Sequence, residues 1–431
     1  MTRIAFTMIG GKNWTGGYNY LINLARLLSA DQSRALTPVM FFGTDVDEED
    51  ITPFAALNCV EVVRSPLFNR SRSFRSLLTG LVTGADWRVR KLFRTHRIDV
   101  VFEVAQFFGF NLGIPAIAWI PDFQHRFLPH LFSKLGYWKR DIGFRIQVLG
   151  KREIMLSSED SRVSCEVFYP SSRGRTHVVR FAVPPKGVIV PAAARALADK
   201  YGLPERYIFL PNQFWQHKNH LLVVEALTIL RRRGQDVTVV ACGSQSDPRD
   251  PSYFPRVKAA IDSSGLSSNF ILLGLIPYGD LAPLATASMA LLNPSLFEGW
   301  STTVEEALSW GVPLILSDLD VNREQAAKPP YFSIAMTRRR LQTHLLRQIC
   351  LRRIFCSNGR RRHRPSLMNA STVSSLISMR LFNRLPPNAG SKPPKKARGP
   401  RLYPPATKVS VNARTENFNH HRCLQQRSHD C

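Results

Sequence analysis

Apolar and polar residues follow two alternating patterns along residues 1–332. Short continuous apolar runs, typical of strands buried on both faces, are separated by stretches in which apolar residues recur every three or four positions, as in amphipathic helices. The apolar runs are Ile4–Ile9, Val39–Phe42, Val100–Phe102, Ala116–Trp119, Val237–Cys242, Phe270–Gly274, Ala290–Asn293 and Leu314–Leu316. Strands that alternate with helices in this order predict an α/β protein built on parallel, doubly wound sheets.

Length and a cluster of prolines predict how the chain divides. The 431 residues are enough for two or three domains, each with its own core. Pro184, Pro185 and Pro191 interrupt the pattern and mark a linker. We therefore expect a first Rossmann-like domain over residues 1–183, a linker over 184–200 and a second Rossmann-like domain over 201–332.

The basic character of the chain is concentrated at its carboxyl end. The net charge is +26, but residues 333–431 hold 21 Lys and Arg against two acids, so this segment alone carries +19. It is rich in Arg and Pro without a sustained period, and we expect it to be disordered. One hypothesis is a disrupted reading frame near residues 326–340, because a complete second domain should continue with further helices. The alternative is an Arg-rich tail that binds nucleic acid, which charge runs without interleaved aromatic residues disfavour.

Cysteine usage and the first residues predict the compartment. Seven cysteines at irregular spacing form neither a zinc motif nor a disulfide framework. No basic and then apolar signal segment follows Met1. We therefore expect a reducing, cytoplasmic environment.

The stretch from Asn293 to Ser317 has the order strand, glycine loop, helix and strand. Gly299 opens a tight loop, Thr302 and Glu305 have the spacing of a capping box, and Gly311 is placed to end the helix. This order predicts a binding site for an anionic ligand at the carboxyl edge of a parallel sheet.

Two carboxylates, Glu298 and Glu306, flank this loop. Carboxylates would repel a phosphate, so their expected partners are the hydroxyl groups of a ribose or a hexose, which can donate hydrogen bonds to them. The alternative is that Glu306 caps the helix with Thr303 while Glu298 is solvated.

The same stretch resembles the signature of family 4 (group 1) retaining glycosyltransferases, which have the two-domain GT-B fold. The resemblance implies that Glu298 binds the transferred sugar and that Glu306 binds the nucleotide ribose. It also implies that backbone amides of the loop, Gly299, Trp300 and Ser301, stabilise charge on the leaving diphosphate.

Two further stretches carry the resemblance. Lys218, at the start of a predicted helix, matches the lysine that grips the donor pyrophosphate; a solvated lysine is the alternative. The family usually has an arginine six residues earlier, where this chain has Asn212. Asp122 and His125, in the loop after Ala116–Trp119, match a position that contacts the transferring sugar or the acceptor hydroxyl. The alternative is an Asx turn and a packed histidine.

Glycines near the amino terminus form another candidate phosphate surface. Gly10-Gly11 and Gly16-Gly17 punctuate the loop before the first predicted helix, but their spacing does not match the dinucleotide fingerprint. In the resembled family this loop faces the donor phosphates; a tight turn that only closes packing is the alternative.

The segment Arg64–Arg97 carries nine Lys and Arg residues and one acid, interleaved with apolar residues. Such a surface can dock on anionic lipid headgroups at the inner face of the membrane. The alternative is a helix that packs its apolar stripe on the sheet and leaves a solvated basic face.

The resemblance implies retaining transfer of a hexose from a UDP- or GDP-sugar to a saccharide or lipid-linked saccharide, in polysaccharide or cell-envelope glycan biosynthesis. The nucleotide sugar is a substrate and no cofactor is implied. No metal is implied either, because no Asp-x-Asp pair stands in a loop expected at the phosphates. The alternatives are an inactive, truncated relative and a basic nucleic-acid-binding protein.

Overall fold

The computed structural model describes residues 1–8, 15–31, 35–104, 106–183 and 189–326. Gly10-Gly11, the end of the predicted second domain at 327–332 and the basic segment 333–431 lie outside the described residues. The hypotheses about a disrupted reading frame and an Arg-rich tail therefore stay predictions.

The first domain is a seven-stranded sheet flanked by helices. Its strands are β1 (Thr2–Met8), β2 (Leu36–Phe42), β3 (Glu61–Arg64), β4 (Val100–Val104), β5 (Ala116–Trp119), β6 (Glu153–Leu156) and β7 (Thr176–Val178). Its helices are α1 (Thr15–Ala30), α2 (Glu48–Ala55), α3 (Ser73–Val82), α4 (Trp87–Thr95), α5 (Gln124–Phe127), α6 (Lys134–Leu149) and α7 (Glu159–Phe168). The strand order is β3-β2-β1-β4-β5-β6-β7, and every pair in it is parallel.

The second domain is a five-stranded parallel sheet of order β10-β9-β8-β11-β12. Its strands are β8 (Ile208–Leu210), β9 (Val239–Ala241), β10 (Phe270–Leu272), β11 (Ala290–Asn293) and β12 (Leu314–Leu316). Its helices are α8 (Pro191–Lys200), α9 (His220–Arg232), α10 (Tyr253–Ser263), α11 (Tyr278–Ala287), α12 (Thr302–Trp310) and α13 (Asp320–Gln325). Two Rossmann-like sheets in this order confirm the predicted α/β fold class.

Each sheet is buried on both faces, which explains why its strands read as continuous apolar runs. In β1, Ile4 and Phe6 contribute to the core on one face of the sheet, while Ala5 contributes to the core on the other. In β8, Ile208 and Leu210 contribute to the core on one face of the sheet, while Phe209 contributes to the core on the other. Helices cover both faces because successive side chains of a strand point to opposite sides.

The linker and the basic segment both differ from the sequence-based expectation. The predicted linker 184–200 ends in helix α8, whose Ala194 and Ala198 are fully buried. Ala198 joins the core of the second sheet, so that domain includes residues from Pro191 onward. The basic segment 64–97 contains two helices, α3 and α4, rather than the single helix of the alternative.

The loop 294–301 of the second domain contacts the first domain. The carbonyl oxygen of Gly299 accepts a hydrogen bond of 3.0 Å from the Ser158 hydroxyl. Trp300 packs against the apolar core that lies on one face of the first sheet. The carboxylate of Glu324 in α13 pairs with Arg180 at 2.7 Å. These contacts place the Gly299 loop between the two sheets.

Candidate functional site

The candidate site lies where the second sheet reverses its strand order. Strands β8 and β11 are neighbours, although they are far apart in sequence. At this point the connections that follow the two strands run to opposite sides. The loops at the carboxyl ends of β8 and β11 therefore diverge and leave a crevice between them. Asn212 follows β8 and Asn293 ends β11, and both side chains are buried.

Asn293 is the centre of a polar network in this crevice. Its amide nitrogen donates to the Ser301 hydroxyl at 2.9 Å and to Oε1 of Glu298 at 3.4 Å. Its carbonyl oxygen accepts hydrogen bonds from the Asn212 amide at 3.1 Å and from the Ser295 hydroxyl at 2.7 Å. Asn212, which replaces the arginine of the resembled family, therefore supports Asn293 and contributes no charge.

Lys218 and Glu298 form an ion pair beside this network. Lys218 Nζ lies 2.7 Å from Oε1 of Glu298, and the two side chains are only 13% and 9% exposed. Neither side chain is solvated, so both solvated alternatives weighed from the sequence are wrong. The pair places one cation and one hydrogen-bond acceptor together at the carboxyl edge of the sheet.

The start of α12 differs from the predicted capping box. Ser301, not Thr302, is the N-cap, and its hydroxyl accepts from the amide of Val304. The backbone amide of Ser301 donates to Oε1 of Gln325 at 3.1 Å, so this amide is already engaged. Gly311 ends the helix with φ of 69°, a conformation that favours glycine, as predicted.

Glu306 faces the start of α11. The Tyr278 hydroxyl donates to Oε1 of Glu306 at 2.5 Å. Burial and the adjacent Glu306 carboxylate raise the pKa of Tyr278, so the phenol stays a donor at neutral pH. Glu306 thus accepts a hydroxyl hydrogen bond here, which is the interaction expected of it toward a ribose, and the predicted alternative cap with Thr303 is wrong.

Asp122 lies against the Gly299 loop from the side of the first domain. A Cβ atom added at Gly299 would meet the Pro121 carbonyl oxygen at 2.4 Å and the Asp122 Cβ at 2.9 Å. One oxygen of Asp122 accepts from the Gln124 amide at 2.8 Å and from Arg140 at 2.7 Å. The side chain is 28% exposed. Asp122 therefore forms an Asx turn and also lies at the junction of the two domains.

His125 does not reach the surface of the cleft. Its side chain is 0% exposed and packs against Phe132, Tyr137 and Phe144. Burial, together with the positive charge of Arg140, lowers the pKa of His125 to about 4, so the ring is neutral near pH 7. This placement corrects the expectation of an accessible imidazole and fits the packed histidine.

Gly16 and Gly17 lie inside the first turn of α1 rather than in the loop before it. Gly16 is exposed and Gly17 is buried. The loop that precedes them lies in residues 9–14, outside the described part of the chain. Their contact with donor phosphates stays a prediction.

Arg249 is a residue that sequence reasoning missed. Its guanidinium donates to Oε1 of Gln124 in the first domain at 2.9 Å and to Nδ1 of His217 in the second at 3.3 Å. Burial and the charges of Lys218 and Arg249 lower the pKa of His217 to about 2, which keeps the ring a neutral acceptor. One side chain thus connects the loop of Asp122 with the loop of Lys218. No sequence motif around Arg249 indicates this role.

A cavity opens beside the site, between the loops that follow β9 and β10. Its lining includes Gly243, Ser244, Gln245, Gly274 and Leu275. Leu275, in the loop after β10, is largely exposed. Among the described residues, no group of His, Cys, Asp and Glu is arranged to hold a metal ion.

Known proteins resemble this chain in sequence and in structure. Residues 195–328 match the model of the family glycosyl transferases group 1. The 2-deoxystreptamine glucosyltransferase of Streptomyces kanamyceticus is 26% identical over 134 residues, which are 30% of this chain and 33% of that enzyme. The chain therefore matches about a third of the length of this curated relative.

Solved structures share the architecture over most of the chain. HepE of Anabaena, solved in complex with UDP, matches this chain with a TM-score of 0.61 at 14% identity. The match covers 88% of this chain and 95% of the HepE chain. A glycosyltransferase from Rickettsia africae has a TM-score of 0.59 at 15% identity, over 81% of this chain and 88% of its own. Residues 195–328 are thus similar to group 1 glycosyltransferases, and the chain has the GT-B fold.

Proposed function

We propose that this protein transfers a hexose from a nucleotide-diphosphate sugar to a hydroxyl group of a saccharide or lipid-linked saccharide, with retention at the anomeric carbon. The observation that carries the proposal is the Lys218–Glu298 pair, held at the switch point of the second sheet and close to the Gly299 loop that meets Asp122. Following the family resemblance of the Asn293–Ser317 stretch, we place this transfer in polysaccharide or cell-envelope glycan biosynthesis.

The donor side of the site follows from charge and hydrogen-bonding capacity. Glu298 and Glu306 are acceptors, so they suit the hydroxyls of the hexose and of the ribose. Lys218 is the cation nearest to Glu298, and it can contact a diphosphate while remaining close to that carboxylate. The cavity lined by Gly243, Gly274 and Leu275 is the proposed site of the base, and Gly243 lies against the backbone of Asn212.

The proposed chemistry breaks the bond between the anomeric carbon and the diphosphate oxygen and forms a bond from that carbon to the acceptor oxygen on the same face. The proton of the acceptor hydroxyl passes to the departing phosphate. Lys218 and the amides of Gly299 and Trp300 stabilise the charge that develops there. Asp122, on the opposite wall, orients the reacting groups.

The choice of nucleotide rests on the neighbours. HepE was solved with UDP and with UDP-glucose, which supports a uridine donor as the first to test. A GDP-sugar is the alternative, because no described residue singles out uracil.

Donor turnover by matched variants tests the proposal. The wild type, Glu298→Gln and the exposed control Glu205→Gln are supplied with UDP- and GDP-hexoses and a mixed saccharide acceptor pool. We expect the released nucleotide to fall by about 10²–10³-fold for Glu298→Gln and to be unchanged for Glu205→Gln. Proton NMR of the product should show the anomeric configuration of the donor.

Each alternative has its own outcome in this experiment. An inverted product would refute retention while leaving glycosyl transfer intact. A wild type that neither turns over any donor nor gains thermal stability from UDP or GDP would favour an inactive relative. Salt-sensitive binding of arbitrary DNA without any effect of nucleotides would favour the nucleic-acid-binding protein.

A further inference from the structure

Helix α3 turns an apolar stripe outward. Phe74, Leu78 and Val82 are spaced four residues apart and therefore share one face of the helix. They are 70%, 50% and 76% exposed, whereas an amphipathic helix of a globular domain normally buries such a face. On its other side α3 half-buries Leu77 and Leu81, so the alternative of a packed apolar stripe holds in part for α3. It holds for the neighbouring α4, which buries Val89 and Phe93.

The start of α4 extends the same surface. Trp87 is 58% exposed, and the guanidinium of Arg88 lies 5.1 Å from the centre of its ring. Between the two helices lies a cavity of about 310 Å³, and its lining includes Arg72, Arg75, Leu78, Trp87 and Arg88. Three arginines therefore stand beside exposed apolar side chains.

These three guanidinium groups keep their charge available. The one acid of the segment, Asp86, also lines the cavity, but it is 6% exposed and caps α4 by accepting from the amides of Arg88 and Val89. Its second oxygen accepts from the Ser76 hydroxyl at 2.6 Å. Within the described residues, no ion pair involves the side chains of Arg72, Arg75 or Arg88.

Charge decides what can cover this surface. The segment 333–431 of the same chain carries +19, so the arginines repel it. A second copy of the domain would bring the same three arginines to the contact and be repelled in the same way. The occupant is therefore anionic, and it must also receive four exposed apolar side chains, Phe74, Leu78, Val82 and Trp87.

We infer that the face formed by α3 and the start of α4 docks on an anionic phospholipid bilayer. Headgroup phosphates bind in the arginine-lined cavity, and the apolar side chains enter the boundary between headgroups and acyl chains. A basic helix with an outward apolar face is suited to this plane, where both kinds of side chain find a partner. The buried face of α4 fixes the surface to the first domain. Within the described part of the chain, no helix meets the length and hydropathy needed to span a bilayer.

Vesicle co-sedimentation of the full chain tests this surface. The vesicles contain phosphatidylcholine alone or with about 30% phosphatidylglycerol, which gives a roughly physiological surface charge. We expect binding only to the anionic vesicles. Arg72→Gln/Arg75→Gln/Arg88→Gln should weaken it on the order of 100-fold, because each basic residue near the surface contributes about fivefold.

The basic carboxyl segment could bind the same vesicles, so a matched control separates the two. Arg338→Gln/Arg339→Gln/Arg340→Gln removes the same charge from that segment and should leave most of the binding intact. Equal weakening by both triple variants would overturn the inference. So would full competition by millimolar glycerol phosphate, which would identify a site for soluble phosphates.

Insertion of the apolar side chains is tested separately. Phe74→Ser/Leu78→Ser/Val82→Ser should weaken binding about 10-fold or more without lowering the melting temperature, because the three side chains are exposed. Brominated lipids should quench the tryptophan fluorescence of the wild type, and Trp87→Phe should remove most of that quenching. Unchanged quenching in Trp87→Phe would contradict insertion of this face. The inference does not depend on glycosyl transfer, and Glu298→Gln should bind vesicles as the wild type does.

Discussion

The ion pair between Lys218 and Glu298 should be measurable as a coupling free energy in the absence of any ligand. The charged atoms are 2.7 Å apart, which corresponds to an attraction of about 6 kcal/mol at an effective dielectric constant of about 20. Desolvation of both groups offsets much of this attraction. Removing one partner from a fully buried pair costs about 3–5 kcal/mol, because the other charge is left uncompensated.

Partial exposure of the Lys218 and Glu298 side chains lowers this free-energy cost. The side chains are 13% and 9% exposed, and the Asn293 amide remains near Glu298 at 3.4 Å. We therefore expect Lys218→Met to lower the free energy of unfolding by about 2 kcal/mol. For a domain of this size, that change lowers the melting temperature by about 4–8 °C.

A double-mutant cycle isolates the pair from other effects of each substitution. Lys218→Met, Glu298→Gln and the double variant are unfolded with urea, and unfolding is followed by tryptophan fluorescence. The double variant should be less destabilised than the sum of the single variants by about 1–2 kcal/mol. A coupling free energy below about 0.5 kcal/mol would refute the argument that the two charges compensate each other in a shielded site.

Three further substitutions test the junction of the domains and the assignment of site residues. Gly299→Ala places a methyl group against the loop of Asp122, so we expect kcat to fall at least ~10-fold, with a loss of about 1–3 kcal/mol in stability; unchanged kinetics would contradict the close approach. Burial and the carboxylates of α13 raise the pKa of Asp160 from 3.8 to about 6. Ionised Asp160 is therefore disfavoured in the folded protein, and its contribution to stability is lost as pH rises from about 4 to about 6. Asp160→Asn should stabilise the protein by about 2 kcal/mol at pH 7.5 and hardly at pH 4, as urea titrations at the two pH values would show. His125→Phe should keep kcat within about threefold, since the ring is buried; a selective loss of kcat in a stable variant would restore the role implied by the resemblance.

The strands could be predicted because their apolar runs have a single physical cause. A central parallel strand is covered by helices on both faces, so nearly every residue in it is apolar. The runs Ala116–Trp119, Ala290–Asn293 and Leu314–Leu316 coincide with β5, β11 and β12 to the residue. The edge strand β3, Glu61–Arg64, has no such run because charged residues occupy both of its ends, and the sequence pattern missed it.

The site could be predicted only where its residues are neighbours in sequence. The helix stop at Gly311 depends on local backbone geometry, which residue type reveals. Gly299, in contrast, is required by the close approach of Pro121 and Asp122 from the first domain. The partners Tyr278 and Gln325 lie 28 and 24 residues from Glu306 and Ser301. Such partners are set by packing of whole elements, so no spacing rule finds them.

Burial explains why the two groups of the Asp122 loop have different outcomes. The sequence offers Asp122 and His125 together, three positions apart at the end of a strand. The short helix α5 carries His125 into the aromatic core, whereas Asp122 remains partly exposed at the domain junction. Side-chain direction in a turn depends on tertiary packing, which residue spacing alone does not give.

A crystal structure with a bound nucleotide sugar, with UDP-glucose as the first ligand, tests the central claim most directly. We expect a hexose hydroxyl within hydrogen-bond distance of Glu298, the ribose hydroxyls at Glu306 and the diphosphate at Lys218. A nucleotide sugar bound away from the Gly299 loop, with the Lys218–Glu298 pair untouched, would contradict it.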